Sequence, residues 1–163
     1  MAESWFSLSP EDQVEALEFA AARTGRPAHL LEKDIWVVWV LSAIYESDLA
    51  SKLTFKGGTS LSKVYRIIDR FSEDVDLTYD IRELAADLLK QGNPIPDSAS
   101  QEKKISSAVR HRLPGWIEAT VRPVIDAALA KFGLEASLTL AGKDRDKLIL
   151  TYPAVKTGTG YSA

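Results

Sequence analysis

The chain has 163 residues and a mass of 17.9 kDa, and its 20 Lys and Arg against 23 Asp and Glu leave a formal charge of −3. That length fits one domain, and a chain of this size buries about two thirds of its unfolded surface without crosslinks. A composition 45% apolar and 26% charged excludes a disordered, collagen-like or coiled-coil protein. Zero cysteines exclude disulfides, Cys-ligated metal centres and a thiol nucleophile.

Met1-Ala2-Glu3-Ser4-Trp5 carries neither a basic region nor an apolar stretch, so no secretory leader is expected and the cytoplasm is the expected compartment. The longest apolar run, at 35–41, falls far short of the ~20 residues that span a bilayer. Ser9-Pro10-Glu11-Asp12 reads as an N-cap, a proline at the first helical position and two acids at the positive end of a helix. Val14, Leu17, Ala20 and Ala21 carry that helix to about Arg23, and Gly25 ends it. From Pro27 a stripe of Leu30, Leu31, Ile35, Val38, Leu41 and Tyr45 predicts a long, mostly buried helix, with Trp36 and Trp39 in the core.

Leu53-Thr54-Phe55 is β-prone and stops at Gly57-Gly58, after which 59–69 has helical spacing. Val75-Asp76-Leu77-Thr78-Tyr79 alternates as a second strand beside the first. A short helix is predicted over 82–91, a turn-rich loop over 92–98 and a helix from about Ser100 to Val109 that Pro114-Gly115 interrupts. Helical spacing resumes over 116–132 with Gly133 closing it, and 134–140 and 148–152 form a hairpin around Gly142-Lys143-Asp144-Arg145-Asp146. The tail at 153–163 reads as a connection to an element not present. The whole is expected to be one domain over 1–163, with N-terminal helices at 9–47, a core at 52–80, and helices and hairpin at 81–153.

Two features converge around the first strand. A Gly57-Gly58 turn between strand and helix has no Cβ to keep a ligand from the backbone, and it aims helix N–H groups at an anion such as a triphosphate. Thr59 and Ser60 add hydroxyls there, and Lys63 adds a cation one turn on. Asp74 and Asp76, at i and i+2 on a strand, point to one face while Val75 and Leu77 pack on the other. Paired carboxylates resist joint ionisation unless a cation lies between them, which suits Mg²⁺ shared with nucleotide phosphates and the chemistry of nucleotidyl transfer. The Gly-x-x-x-x-Gly-Lys-Ser/Thr loop of a P-loop NTPase is absent, and His29 and His111 lie on helical patterns without a nucleophile elbow. Lys103, Lys104, Arg110, Arg112 and Arg122 read as a solvated helix face or, alternatively, as an RNA-facing surface.

Lys56-Gly57-Gly58-Thr59-Ser60-Leu61-Ser62-Lys63 with Arg70-Phe71-Ser72-Glu73-Asp74-Val75-Asp76-Leu77 closely resembles the signature of the AbiEii/AbiGii nucleotidyltransferase toxins, a branch of the DNA-polymerase-β-like superfamily. Glu32-Lys33-Asp34-Ile35-Trp36 resembles that family's N-terminal motif. The resemblance implies an α/β (α+β) minimal nucleotidyltransferase fold, a mixed sheet flanked by helices, in which Gly57, Gly58 and Ser60 hold NTP phosphates and Asp74 and Asp76 bind Mg²⁺. It also implies a Mg-dependent toxin of a bacterial toxin–antitoxin or abortive-infection system, which transfers NMP from NTP to an RNA such as the tRNA 3′ end, or to a protein, and is paired with a cognate antitoxin. Lys33 and Asp34 match the motif and either orient the nucleotide or form an ion pair that fixes the helix.

The family's third acidic residue, on a later strand, has no clear counterpart here, and the helical C-terminal region seen in relatives is expected to be missing. A truncated, non-catalytic domain that binds nucleotide or a partner, with a tendency to self-associate, is therefore the alternative expectation.

Overall fold

The computed structural model describes residues 5–58, 60 and 74–158. It has the expected α+β class and forms two compact units, Met1–Ala43 with Phe55–Asp76 and Tyr152–Ala163, and Ile44–Thr54 with Leu77–Thr151.

In the first unit, α1 (Pro10–Thr24) starts as its sequence dictates: Ser9 caps it by accepting the Asp12 N–H, Pro10 lies in the first turn, and Glu11 and Asp12 face the positive end. Gly25, at φ +70, ends it and donates its N–H to the Ala21 carbonyl at 2.9 Å. Helix α2 (Ala28–Tyr45) is apolar nearly all round and begins one residue after the predicted proline, whose carbonyl caps it by accepting from Leu30 and Leu31. Trp36 and Trp39 are buried as expected, edge to face at 5.8 Å, with the Phe6 ring against both.

The second unit opens with a 3₁₀ turn at Asp48–Ser51, capped by the Ser47 side chain. Strand β1 (Leu53–Lys56) pairs with β2 (Asp76–Tyr79) in a two-stranded sheet, and just beyond it the Asp80 N–H reaches the Lys52 carbonyl at 2.9 Å. Both strands alternate in burial, as a half-buried pair must.

Two predicted boundaries differ. The helix expected at 82–91 shrinks to α3 (Arg82–Ala85) followed by 3₁₀ turns at Ala86–Leu88 and Lys90–Gly92. The Leu84 carbonyl, which an α-helix would give to a later amide, instead accepts from the Arg112 guanidinium at 2.8 Å, so the ladder stops there. Conversely, Pro114 does not interrupt α4, which runs Ala99–Trp116 through it. The apolar stripe of Val109, Leu113, Trp116 and Ile117 keeps its helical spacing across the proline, and burial of that stripe offsets the lost hydrogen bond. The phase change is absorbed just beyond, in a π-turn (Ile117–Val121) where the Arg122 N–H reaches back to the Ile117 carbonyl. Helix α5 (Arg122–Phe132) follows with Pro123 in its first turn, where a missing N–H costs least, and Gly133 at φ +62 closes it.

Leu84, Ala85, Leu89, Ile105 and Val109 form the core between α3 and α4, joined by Tyr79, Ile81, Leu88, Leu113 and Trp116. Strands β3 (Ser137–Ala141) and β4 (Lys147–Thr151) pair antiparallel with Ser137 opposite Thr151 and Ala141 opposite Lys147, around the loop the sequence marks. Among the described residues no helix is long and apolar enough to cross a membrane.

Candidate functional site

At the end of β1 the chain coils at once, because Gly57 adopts φ +79, a backbone that side-chain-bearing residues resist. Its glycine character serves a second purpose. A Cβ at Gly57 would lie 2.1 Å from Asp76 Oδ2 and 2.9 Å from Asp76 Cγ, so the aspartate side chain occupies the space a larger residue would fill. At Gly58 a Cβ would meet nothing within 4 Å, which leaves that position open to an incoming group.

Ser60, 5% exposed, donates its hydroxyl to the Gly57 carbonyl at 2.8 Å. That bond closes the turn from Gly57 to Ser60. Ser60 thereby shapes the turn, and its oxygen lone pairs, not its proton, are what it has left to offer. Thr59 and Lys63, the other phosphate ligands expected from the sequence, lie outside the described residues, as does the helix expected over 59–69 apart from Ser60.

On the neighbouring strand and just before it, Asp74, Asp76 and Thr78 are exposed while Val75, Leu77 and Tyr79 are half buried. The period-2 reading holds within β2, where Asp76 and Thr78 are exposed and Leu77 and Tyr79 pack, whereas Asp74, expected on the same strand face as Asp76, lies before the strand begins. Lys33 is half buried on α2. Lys33, Gly57, Gly58, Ser60, Asp74 and Asp76 all belong to one compact unit, and the contact that joins two sequence-distant parts of the site is that of Gly57 with Asp76.

The donor set fits a hard cation: two exposed carboxylates, Asp76 at the first position of β2 and Asp74 two residues before it, next to a glycine whose missing side chain leaves room for Asp76. Two protein carboxylates with substrate phosphates in the remaining positions is how Mg²⁺ is held at phosphoryl-transfer centres. Among the described residues no three acidic or histidine side chains gather into a metal-binding group.

The acids downstream of Asp76, from Asp80 to Asp146, lie in the other compact unit, and most hold a cation there. Asp80 pairs with Arg82 at 3.1 Å, Glu83 with Lys52 at 3.1 Å and Asp97 with Lys90 at 2.7 Å. Asp87 takes Arg112 in a two-pronged bond, Arg122 bridges Glu118 and Asp126, and Arg110 lies 3.9 Å from Asp144. Glu135 stands before β3, not within it. The same pairs account for Arg110, Arg112 and Arg122 of the basic set, whose guanidinium groups are held by internal acids on a solvated face.

Sequence reasoning passed over Glu32. It is 1% exposed on α2, and its two oxygens accept the backbone N–H groups of Val155 and Lys156 at 2.9 and 3.0 Å. The signal was an acid four residues before Trp36, and so on the same face of a mostly apolar helix, since a buried carboxylate requires donors from elsewhere in the chain.

A protein-family model described as "Nucleotidyl transferase AbiEii toxin, Type IV TA system" matches residues 39–162, well over half of the chain. The matched stretch includes Gly57, Gly58, Asp74 and Asp76, and begins after Glu32 and Lys33. Comparison with curated proteins gives no match, and neither does comparison with solved structures.

Proposed function

Because this chain belongs to the AbiEii family of nucleotidyltransferase toxins of type IV toxin–antitoxin systems, we propose that it transfers a nucleoside monophosphate from an NTP to an RNA, such as a tRNA 3′ end, or to a protein acceptor. The single observation that carries the site assignment is the packing of the Asp76 carboxylate against Gly57. It brings the acidic strand and the glycine turn, 19 residues apart in sequence, within contact distance.

Asp74 and Asp76 would hold Mg²⁺ at the start of β2, and when bound the ion supplies positive charge against the phosphate oxygens. Gly57 and Gly58 let the triphosphate approach the backbone, and Ser60 keeps the turn coiled so that amide groups face it. Thr59, Lys63 and Lys33 add donors and positive charge on the phosphate side. In the transfer, an acceptor hydroxyl gives its proton to solvent as its oxygen bonds to the α-phosphorus, the bond from that phosphorus to the oxygen bridging to the β-phosphorus breaks, and pyrophosphate leaves. The partner that restrains such a toxin is its cognate antitoxin, and the compartment of the reaction is the cytoplasm.

The test is incubation of the chain with each α-labelled NTP, Mg²⁺ and total tRNA, beside Asp76→Ala. Label should appear on RNA or protein and disappear in the variant, by a factor above the 10- to 100-fold that loss of a mere supporting partner of a metal ligand costs. Equal labelling by both proteins overturns the site assignment. Mn²⁺ and NTP binding without transfer, lost on Asp76→Ala, would keep the site and replace transfer with a binding role.

A further inference from the structure

Four independent grips hold the segment at 152–158 against α1 and α2. The Tyr152 ring stacks on Trp36 at 4.6 Å and 21°. Glu32, one helical turn before Trp36 and on the same face, takes two consecutive backbone amides, those of Val155 and Lys156. The Lys156 ammonium pairs with Glu18 of α1. A Cβ at Gly158 would fall 2.4 Å from His29 Nδ1, so the backbone there runs directly against the first turn of α2.

We propose that Glu32 and Trp36 form the receptor for a strap, residues 152–158, which opens and closes on α2 as a unit while the rest of the chain stays folded. The grip at its centre reads backbone, not side chains: each Glu32 oxygen has one amide donor, and a carboxylate 1% exposed is costly to bury without them. The strap's closure satisfies that carboxylate, and in the open state that the proposal adds the group returns to water. Val155 adds no helix or strand of its own to the contact, and residues 152–158 lie outside both sheets, so release breaks no sheet ladder.

This assignment separates the members of Glu32-Lys33-Asp34-Ile35-Trp36. Glu32 and Trp36, four apart, face the strap, and the acid at Glu32 is committed to main-chain amides instead of to a nucleotide. The strap joins the compact unit that carries Gly57, Ser60 and Asp76, which is built from three separate stretches of chain. Closing it completes that unit, and this holds whether or not the unit transfers nucleotides.

Amide hydrogen exchange on the full chain tests the proposal. Glu32→Gln puts an NH₂ donor against an amide donor and removes the charge. The Val155 and Lys156 amides should then exchange about 10- to 100-fold faster, the loss expected for bonds to a charged acceptor, while amides at 99–116 keep their rates. Tyr152→Ala, which leaves Glu32 intact, should speed the same two amides from the other end of the strap and carries the test if the Glu32 variant fails to fold. Unchanged exchange at 155 and 156 in both variants overturns the proposal. So does acceleration shared equally with 99–116, which would show global loosening instead of a strap.

Discussion

The two compact units hold themselves together by opposite means. The unit containing Ile44–Thr54 and Leu77–Thr151 is nearly continuous in sequence, and its α3/α4 core, π-turn and hairpin join residues close along the chain. Its charged groups lie outside, in pairs such as Arg122 with Glu118 and Asp126. The unit containing Met1–Ala43, Phe55–Asp76 and Tyr152–Ala163 is stitched from three stretches, with a polar contact spanning 123 positions and a fully buried acid. The difference teaches that the first kind of unit is stabilised by apolar area and tolerates charge loss, whereas the second, beside its Trp36 and Trp39 core, depends on a few placed polar or glycine positions. Each prediction below tests one side of that contrast.

The largest effect on stability should come from the apolar core. Ile105 is 3% exposed between Leu84 and Val109, and Ile105→Ala removes its methyl and methylene groups and leaves a cavity, at a cost of ~2–5 kcal/mol. Urea unfolding followed by circular dichroism measures it. A loss as small as that of a surface pair would break the contrast, because it would mean that this unit, too, relies on its charges.

Next in size is Gly57→Ala, which separates glycine as a turn former from glycine as room for a carboxylate. The left-handed backbone alone costs about 1–2 kcal/mol, and the new methyl forces Asp76 out of its position. Melting temperature and Mn²⁺ affinity should both fall. Gly58→Ala, in open space with an ordinary φ, should hold or raise the melting temperature and leave Mn²⁺ affinity intact. Equal loss of Mn²⁺ affinity in the two variants would remove Asp76 from the argument.

These two glycines also mark where sequence reading succeeds and stops. Ser9, Pro10 and Gly25 announced α1 because capping is local, and the alternation over Val75 to Tyr79 announced the strand at Asp76–Tyr79 for the same reason, though it did not carry Asp74 onto it. That Gly57 must be glycine followed from its turn, but that it makes room for Asp76 did not, because spacing along a chain does not state which side chain lies over which backbone. Pro114 misled because local propensity was outweighed by the burial of Val109 and Ile117 on either side of it. Arg112 ended α3 from 28 residues away, and Glu32 found its donors farther still, at distances no periodicity encodes.

A smaller, pH-dependent effect belongs to Arg112. Its side-chain hydrogen bonds hold the Asp87 carboxyl below the usual carboxylate range, and the guanidinium charge adds to them. Because folding lowers this group's proton affinity, the pair stabilises above the ordinary aspartate pKa and is lost as pH falls through the lowered folded-state value. The gap in melting temperature between the wild-type chain and Arg112→Ala should therefore be widest near neutral pH and narrow in acid. A residual gap at low pH reports the bond from Arg112 to the Leu84 carbonyl, which does not titrate. A gap that widened in acid would contradict the pairing.

The smallest effect should be that of Lys156→Ala. Its ammonium meets Glu18, whose side chain is 62% exposed, and a pair so open to solvent contributes about 0.2–1 kcal/mol, less at high salt. The same residue's backbone N–H goes to the buried Glu32. Side chain and main chain of one residue thus belong to the two modes of stabilisation that the units divide between them. If the strap is held by its backbone, Lys156→Ala should leave exchange at the Val155 and Lys156 amides within a few-fold of wild type, while Glu32→Gln releases them. Were the alanine variant to release them as fully, the exposed ion pair and not the buried carboxylate would be the latch, and the placed polar group that distinguishes this unit would be Glu18.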